Sequence, residues 1–451
     1  MGNHSEMLAN EKIGRLLFKL SAPAIVGMIV QALYNLVDAI FIGRGLGVLA
    51  IGGIAIVFPI QMLIMAVAQT IGIGGASIIS RSMGSGDIKR AEKTMGNVFS
   101  LVVIISVVVT VFGSIFILPI LKLFGATENI LPYSLEYLRI IFLGTIFFTF
   151  AMATNNVVRA EGNAKVAMFT MLISAGLNIF LDPIFIFGLK MGVAGAALAT
   201  VIAQATTAIY LVYYFLSGKS EMRFHSKDLK LNRDILKETF AIGAAAFFRQ
   251  VAGSIMAVIL NNLLVFYGGD ISIAVFGVIN RLLMFTFMPM FGIVQGLQPI
   301  VGFNYGAKQF RRVKEAIDLS ILITTIMSTL GFLILMSSPH VLLGIFNKDM
   351  NFINHGKHAI RIIVLAFPLI GFQIVGASMF QAIGKAVPSL ILSMSRQILF
   401  FIPLVLILPL FFQLNGVWLA FPAADILSFL ITLILFAREM KIQKIRAFSP
   451  G

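Results

Sequence analysis

Apolar runs of about twenty residues recur along the whole chain, each long enough to cross a bilayer as a helix. They predict spans near 17–41, 50–79, 96–121, 134–158, 167–188 and 194–216, a polar stretch over 217–237, and then 238–266, 273–301, 316–345, 358–380, 389–411 and 416–437. The expected fold is an all-α integral membrane protein with twelve transmembrane helices in two six-helix bundles, 1–216 and 238–451, joined by a cytoplasmic linker over 217–237. The first fifteen residues are polar and mixed in charge, with no apolar core leading into a small-residue cleavage site, so the first span is expected to be retained.

The second half repeats the first at an offset of 222 residues. Residues 79–95 (ISRSMGSGDIKRAEKTM) lie over 300–317 (IVGFNYGAKQFRRVKEAI), with Gly84 on Gly306 and Arg90 on Arg312. The same offset puts Phe18 on Phe240, Ala22 on Ala244, Gly47 on Gly269 and Gly162 on Gly384. Six spans per repeat preserve the inside–outside sense, so the bundles should be related by a pseudo-two-fold axis along the membrane normal. Proteins built this way bind substrate between the halves and open alternately to each side.

Charge changes the picture less than its size suggests. The chain carries a formal +15, but only 12% of its residues are charged and 59% are hydrophobic. Segments on the side of the N-terminus hold 24 Lys and Arg, against 5 in the alternate loops. That is a positive-inside bias, which makes both termini cytoplasmic in a prokaryotic inner membrane and removes the need for nucleic acid as a partner. There is no cysteine, hence no disulfide, thiolate metal site or Cys nucleophile. No P-loop, zinc-helix motif or catalytic constellation is present, so neither an enzyme nor a bound cofactor is expected.

Two acids stand inside apolar spans of the first half, Asp38 and Asp182; their counterparts in the second half are Leu260 and Leu404. An ionisable group at membrane depth is costly and so points to function. Both acids fall toward the outer ends of spans running the same way, and Thr200, near the start of the returning sixth span, should lie level with them. Asn178 and Asp182 are four apart on one helix face, as are Tyr34 and Asp38. The set offers hard oxygens for sodium, or a proton shared between carboxylates. Pro183 follows Asp182 and Pro23 interrupts the first span; each frees carbonyls in the preceding turn. Asp38 taken alone, shortly before a Gly-Arg-Gly turn, also fits an interfacial acid.

The second half has Arg249, Arg281 and Arg396 where the first has Gly27, Pro59 and Ser174, and Asp425 is its one clear intramembrane acid. One reading pairs Asp425 with one of these arginines, because buried charges seek partners. The other is contact with an anion or a lipid headgroup. Gly72, Gly74, Gly75, Gly192 and Gly195 fit close helix packing better than ligand contact.

The segments QALYNLVDAIFIGRGLG (31–47), RSMGSGDIKRAE (81–92), RAEGNAK (159–165) and NIFLDPIFIFG (178–188) resemble the MATE family of multidrug and toxic compound extrusion transporters over essentially the whole chain. The resemblance implies drug export driven by entry of sodium or protons. One branch of that family carries its coupling acids on helices seven and ten, where this chain has none. It resembles instead the DinF-type branch, with coupling acids on helices one and five. By that resemblance Asp38, Asn178, Asp182 and Thr200 would form the proton or sodium site with Tyr34 beside it, and helix one would bend at Pro23. The resulting expectation is a monomeric secondary-active exporter of amphipathic, often cationic drugs in contact with membrane lipids. Its alternative is a flippase for an amphipathic lipid or lipid-linked glycan, using the arginines of the second half to hold phosphate.

Overall fold

The computed structural model describes residues 2–448, apart from the side chains of 35–36, 39–40, 42–46, 48 and 443–448. Arg44, Lys444 and Arg446 of the charge count lie outside the described side chains. The described chain is helical almost throughout. Helices α1 to α7 span Asn3–Asn10, Ile13–Gly84, Ile88–Ile115, Ile117–Leu123, Leu131–Ala160, Ala164–Pro183 and Gly192–Leu216. Helices α8 to α15 span Arg233–Gly306, Phe310–Ser337, Pro339–Gly344, Met350–Ile363, Ile370–Ala382, Ala386–Met394, Ile402–Ile407 and Pro409–Phe448. Two π-helical segments, Ile184–Gly188 and Ser395–Phe401, interrupt the regular pattern.

Helices α2 and α8 are 72 and 74 residues long, which if straight would be about 110 Å, far more than a bilayer's ~30 Å core. Each breaks at one residue, Gly47 (φ 79°) or Gly269 (φ 64°), where only glycine takes the left-handed turn without strain. Ten segments are long and apolar enough to cross a membrane when α2 is counted as two and α8 as one. Helices α11 and α12, bent by 44°, pass together as an eleventh, and dividing α8 at Gly269 makes twelve among the described residues. Pro23 lies inside α2 without breaking it: helical dihedrals continue past it, so the span is not interrupted there as the sequence suggested. A missing N–H alone does not end a helix when tertiary packing holds both flanks. Pro183, by contrast, closes α6 and opens the first π segment.

The chain forms two compact units: Met1–Glu11 with Ala22–Gly243, and Lys12–Ser21 with Ala244–Gly451. In the first, α3 starts at Asp87, whose carboxylate accepts from the Arg90 N–H at 3.0 Å, and α6 at Asn163, which accepts from the Val166 N–H at 3.2 Å. Its core gathers Val57, Ile60, Ile64, Leu138, Ile141, Phe142 and Val193. Gly74 and Gly243 let two helices cross closely, since a Cβ on either would lie 2.1 Å or 2.0 Å from the carbonyl oxygen of Thr239 or Thr70. The second unit has its own core around Leu260, Ile279, Leu283, Phe367, Phe401, Val405 and Phe421. Large apolar side chains point outward on both, among them Leu143 at 68% and Phe266 at 79% exposed, as expected where lipid tails are the solvent.

The linker is not a loose tether. Asn97 donates to the carbonyls of Asp228 and Lys230 and accepts from the Asn232 N–H, fastening residues 228–232 to α3. Glu221 accepts from the His4 and Ser5 N–H groups and the Ser5 hydroxyl, so it caps α1 from 216 residues away. Beside it Glu161, fully buried in the turn after α5, accepts from Tyr214 and from Ser220 at 2.6 Å. Burial pushes the Glu161 carboxyl up to about 7, against the lowering effect of those two hydroxyls.

Candidate functional site

In the first unit α2 supplies Tyr34 and Asp38, α6 supplies Asn178 and Asp182, and α7 supplies Thr200. Asn178 and Asp182 share one face of α6 and are almost completely buried, at 1% and 0% exposure. With its amide turned to satisfy both ends, Asn178 donates to Asp182 Oδ2 at 2.7 Å and its oxygen accepts from Thr200 Oγ1 at 3.2 Å. The Asp38 carboxyl lies within hydrogen-bonding reach of Asp182, and the Tyr34 hydroxyl within reach of Thr200. Three helices thus bring the five residues singled out by spacing into one cluster. Asp38 is therefore not an isolated interfacial acid.

The cluster also holds two residues the sequence reading missed. Tyr137, on α5 and 5% exposed, reaches Thr200 and Gln61, the latter from the second arm of α2. Their signal was available: both are polar groups in the outer parts of spans two and four, level with the two acids. One oxygen of each acid, Asp38 Oδ1 and Asp182 Oδ1, is buried without a hydrogen-bond partner among the described residues. Buried carboxylate oxygens without donors are expensive, so a proton or a cation there would supply the missing interaction. No group of three or more His, Cys, Asp or Glu is gathered for a metal among the described residues, so any cation held here has two carboxylates and otherwise neutral oxygens. The π segment that follows Pro183 sits directly beyond Asp182, where an irregular turn loosens the helix beside the acids.

The second unit has no such acid pair. Arg396 Nε donates to Asp425 Oδ1 at 2.5 Å, and the guanidinium lies 5.4 Å over the Phe287 ring. Gln373 holds the Asp425 backbone carbonyl at 2.7 Å, and Ser395 meets Ser428 at 2.8 Å. Of the three arginines, then, Arg396 is the partner of Asp425. Arg249 and Arg281 are exposed and have no ion-pair partner among the described residues. His355 and His358 line a cavity of about 300 Å³ with Asn351, Asn354, Ser272 and Trp418, each imidazole already bonded, to Asn351 O and Asn415 Oδ1.

Comparison with known proteins fits this architecture. The MatE family profile matches twice, over 23–184 and 245–407, and the two matches begin 222 residues apart, the offset of the internal repeat. The multidrug export protein MepA of Staphylococcus haemolyticus is 27% identical over 432 residues, covering 95% of this chain and 95% of its own. A solved structure of the MATE multidrug transporter DinF-BH, in complex with a drug, is 46% identical, with a TM-score of 0.90 over 97% of this chain and 98% of that one. A MATE structure in a bent conformation is 26% identical and superposes over 100% of both chains with a TM-score of 0.94. The twelve spans in two repeated bundles, the paired family matches and the likeness to DinF-BH make this chain a member of the MATE family of transporters.

Proposed function

We propose that this chain is a secondary-active multidrug exporter of the cytoplasmic membrane that exchanges amphipathic, chiefly cationic compounds for inward-moving protons at Asp38 and Asp182. The observation that carries the reading is the acid pair itself. Two ionised carboxylates within hydrogen-bonding reach in a low dielectric repel strongly, whereas a shared proton turns the contact into a bond. The relatives named above as multidrug export protein and multidrug transporter support drugs as cargo. The bias of 24 Lys and Arg against 5 supports cytoplasmic termini.

Coupling then follows from differential stability. With one proton bound, the pair is compact and α2 is held against α6; without it, repulsion favours a different packing of α2 and a different opening of the transporter. Asn178 orients Asp182, while Thr200, Tyr34 and Tyr137 offer hydroxyls to whichever oxygen bears no proton. A ligand that binds one opening better shifts that equilibrium, and a change of about 10⁴ in relative affinity carries it nearly from end to end.

The test is ethidium transport by purified protein in oriented proteoliposomes, with proton and sodium gradients imposed separately on wild type and Asp182→Asn. Transport should follow the proton gradient in wild type and fall to the passive leak in the variant. Flux driven by sodium alone would overturn the choice of ion, and full gradient-driven flux in the variant would overturn the site.

A further inference from the structure

The second unit carries an imbalance of charge that the coupling site does not use. Away from the span ends, its ionisable side chains are Arg249, Arg281, Arg396 and Asp425, three positive and one negative. Each arginine stands at a depth where a charge facing hydrocarbon is heavily penalised. Asp425, at 3% side-chain exposure, is fully engaged by Arg396; Arg249 and Arg281 are exposed without an acid partner among the described residues. Such a lobe is electrostatically complementary to an anion, as the first unit is to a cation.

Arg396 is placed to receive one. Only its Nε is spent on Asp425, its side chain remains 37% exposed, and the guanidinium is stacked over Phe287. A guanidinium held at Nε by one carboxylate turns its two terminal amino groups outward as a fork, the geometry that receives an oxyanion through two parallel hydrogen bonds. The support is rigid, with Gln373 on the Asp425 carbonyl and Ser428 on Ser395. Arg396 lies in the π-helical segment Ser395–Phe401, an irregularity that tends to mark functional positions. The approach is apolar: Phe287 packs against Phe291 and Phe367, with ring centroids 6.2 Å and 5.3 Å away. Arg249 comes from the facing helix. Gly253, one turn on along the same face of α8, would place a Cβ 3.6 Å from Gln397 Nε2, next to Arg396.

We propose that the second unit holds a receptor for the anionic group of an amphipathic molecule, a carboxylate, sulfonate or phosphate. Arg396 makes the direct contact, Asp425 is the positioning residue that aims its fork, Phe287 lies along the apolar body, and Arg249 adds attraction at longer range. The proposal rests on the exporter reading and extends its substrate class from cations to anionic and zwitterionic amphiphiles. A purely structural Arg396–Asp425 pair would predict no preference for the sign of the ligand's charge.

The experiment measures equilibrium binding and gradient-driven flux of two probes on the full-length protein in proteoliposomes: ethidium, and dansylaminoundecanoate as a fluorescent amphipathic carboxylate. Variants are Arg396→Gln with Asp425→Asn, which keeps the pair neutral, together with Arg396→Lys and Arg249→Gln. The ratio of carboxylate to ethidium affinity should fall about tenfold in the double variant, the loss of a charge-assisted contact, and a few-fold in Arg249→Gln. Arg396→Lys should restore part of it, since the charge returns without the fork. An unchanged ratio in Arg249→Gln and in the double variant overturns the proposal. So does a wild-type protein that exports ethidium but does not bind the carboxylate. A wild type that binds the carboxylate and exports neither probe overturns the exporter reading and leaves the receptor standing. A parallel arm with vesicles containing fluorescent phosphatidylglycerol identifies the source: Arg396-dependent movement of that lipid makes the anion a headgroup phosphate.

Discussion

Glu161 shows how one residue can make a membrane protein's stability depend on pH away from its transport site. Its carboxyl is buried at the turn after α5 and raised to about 7, above the ordinary glutamate value. The folded state therefore holds this proton more tightly than the unfolded chain does. The stabilisation is complete below the unfolded value and is lost as pH rises through about 7. At ~1.4 kcal/mol per unit the effect is at most about 3 kcal/mol. Wild type should melt at a lower temperature at pH 8.5 than at pH 5.5, and Glu161→Gln, a permanent analogue of the protonated form, should flatten that slope. Equal slopes would remove Glu161 from the account. The sequence displayed the Glu161 motif but not its role, because burial comes from Tyr214 and Ser220, more than fifty residues away. For Asp38, Asn178, Asp182 and Thr200 the sequence was more informative: an acid in an apolar run has few interpretations, and four-residue spacing fixes a shared face. Tyr137 and Gln61 escaped because a tyrosine or glutamine near a span end is ordinary until tertiary structure shows what it reaches.

Among the elements, the repeat persists in backbone geometry where the residues have diverged. Gly47 and Gly269, Gly86 and Lys308, and Gly162 and Gly384 are pairs 222 apart, and all six have positive φ. Lys308, at φ 58°, occupies a left-handed turn that its partner Gly86 takes freely. Such a conformation costs a side-chain-bearing residue roughly 1–2 kcal/mol. Lys308→Gly should therefore raise the melting temperature, and a lowered one would show that the Lys308 side chain contributes more than its backbone costs. Gly74 predicts the opposite sign. A Cβ 2.1 Å from the Thr239 oxygen must push two helices apart, so Gly74→Ala should destabilise by about 1–3 kcal/mol in thermal unfolding. Spans, loops and the close-packing role of Gly74 were legible from hydropathy and small-residue spacing. The π segments and the uninterrupted passage of α2 through Pro23 were not, because both depend on packing against neighbouring helices and not on local propensity.

On the scale of the whole molecule, one ancestral six-helix plan has been given two different chemistries. The first unit keeps an acid pair with unsatisfied oxygens, while the second replaces those acids by Leu260 and Leu404 and carries a surplus of arginine. The sequence exposed that asymmetry directly, since the offset of 222 aligns each charge with its uncharged counterpart. It left open which arginine pairs with Asp425, because three candidates on two helices are equivalent until the helices are placed. The central claim is that drug and proton compete through Asp38 and Asp182. Its most direct test is proton release on ethidium binding to purified protein in weakly buffered detergent solution, read with a pH indicator. Wild type should release a proton as the dye binds, and Asp38→Asn and Asp182→Asn should each bind dye without releasing one. Dye binding with no proton release in wild type, or equal release in both variants, would contradict the account.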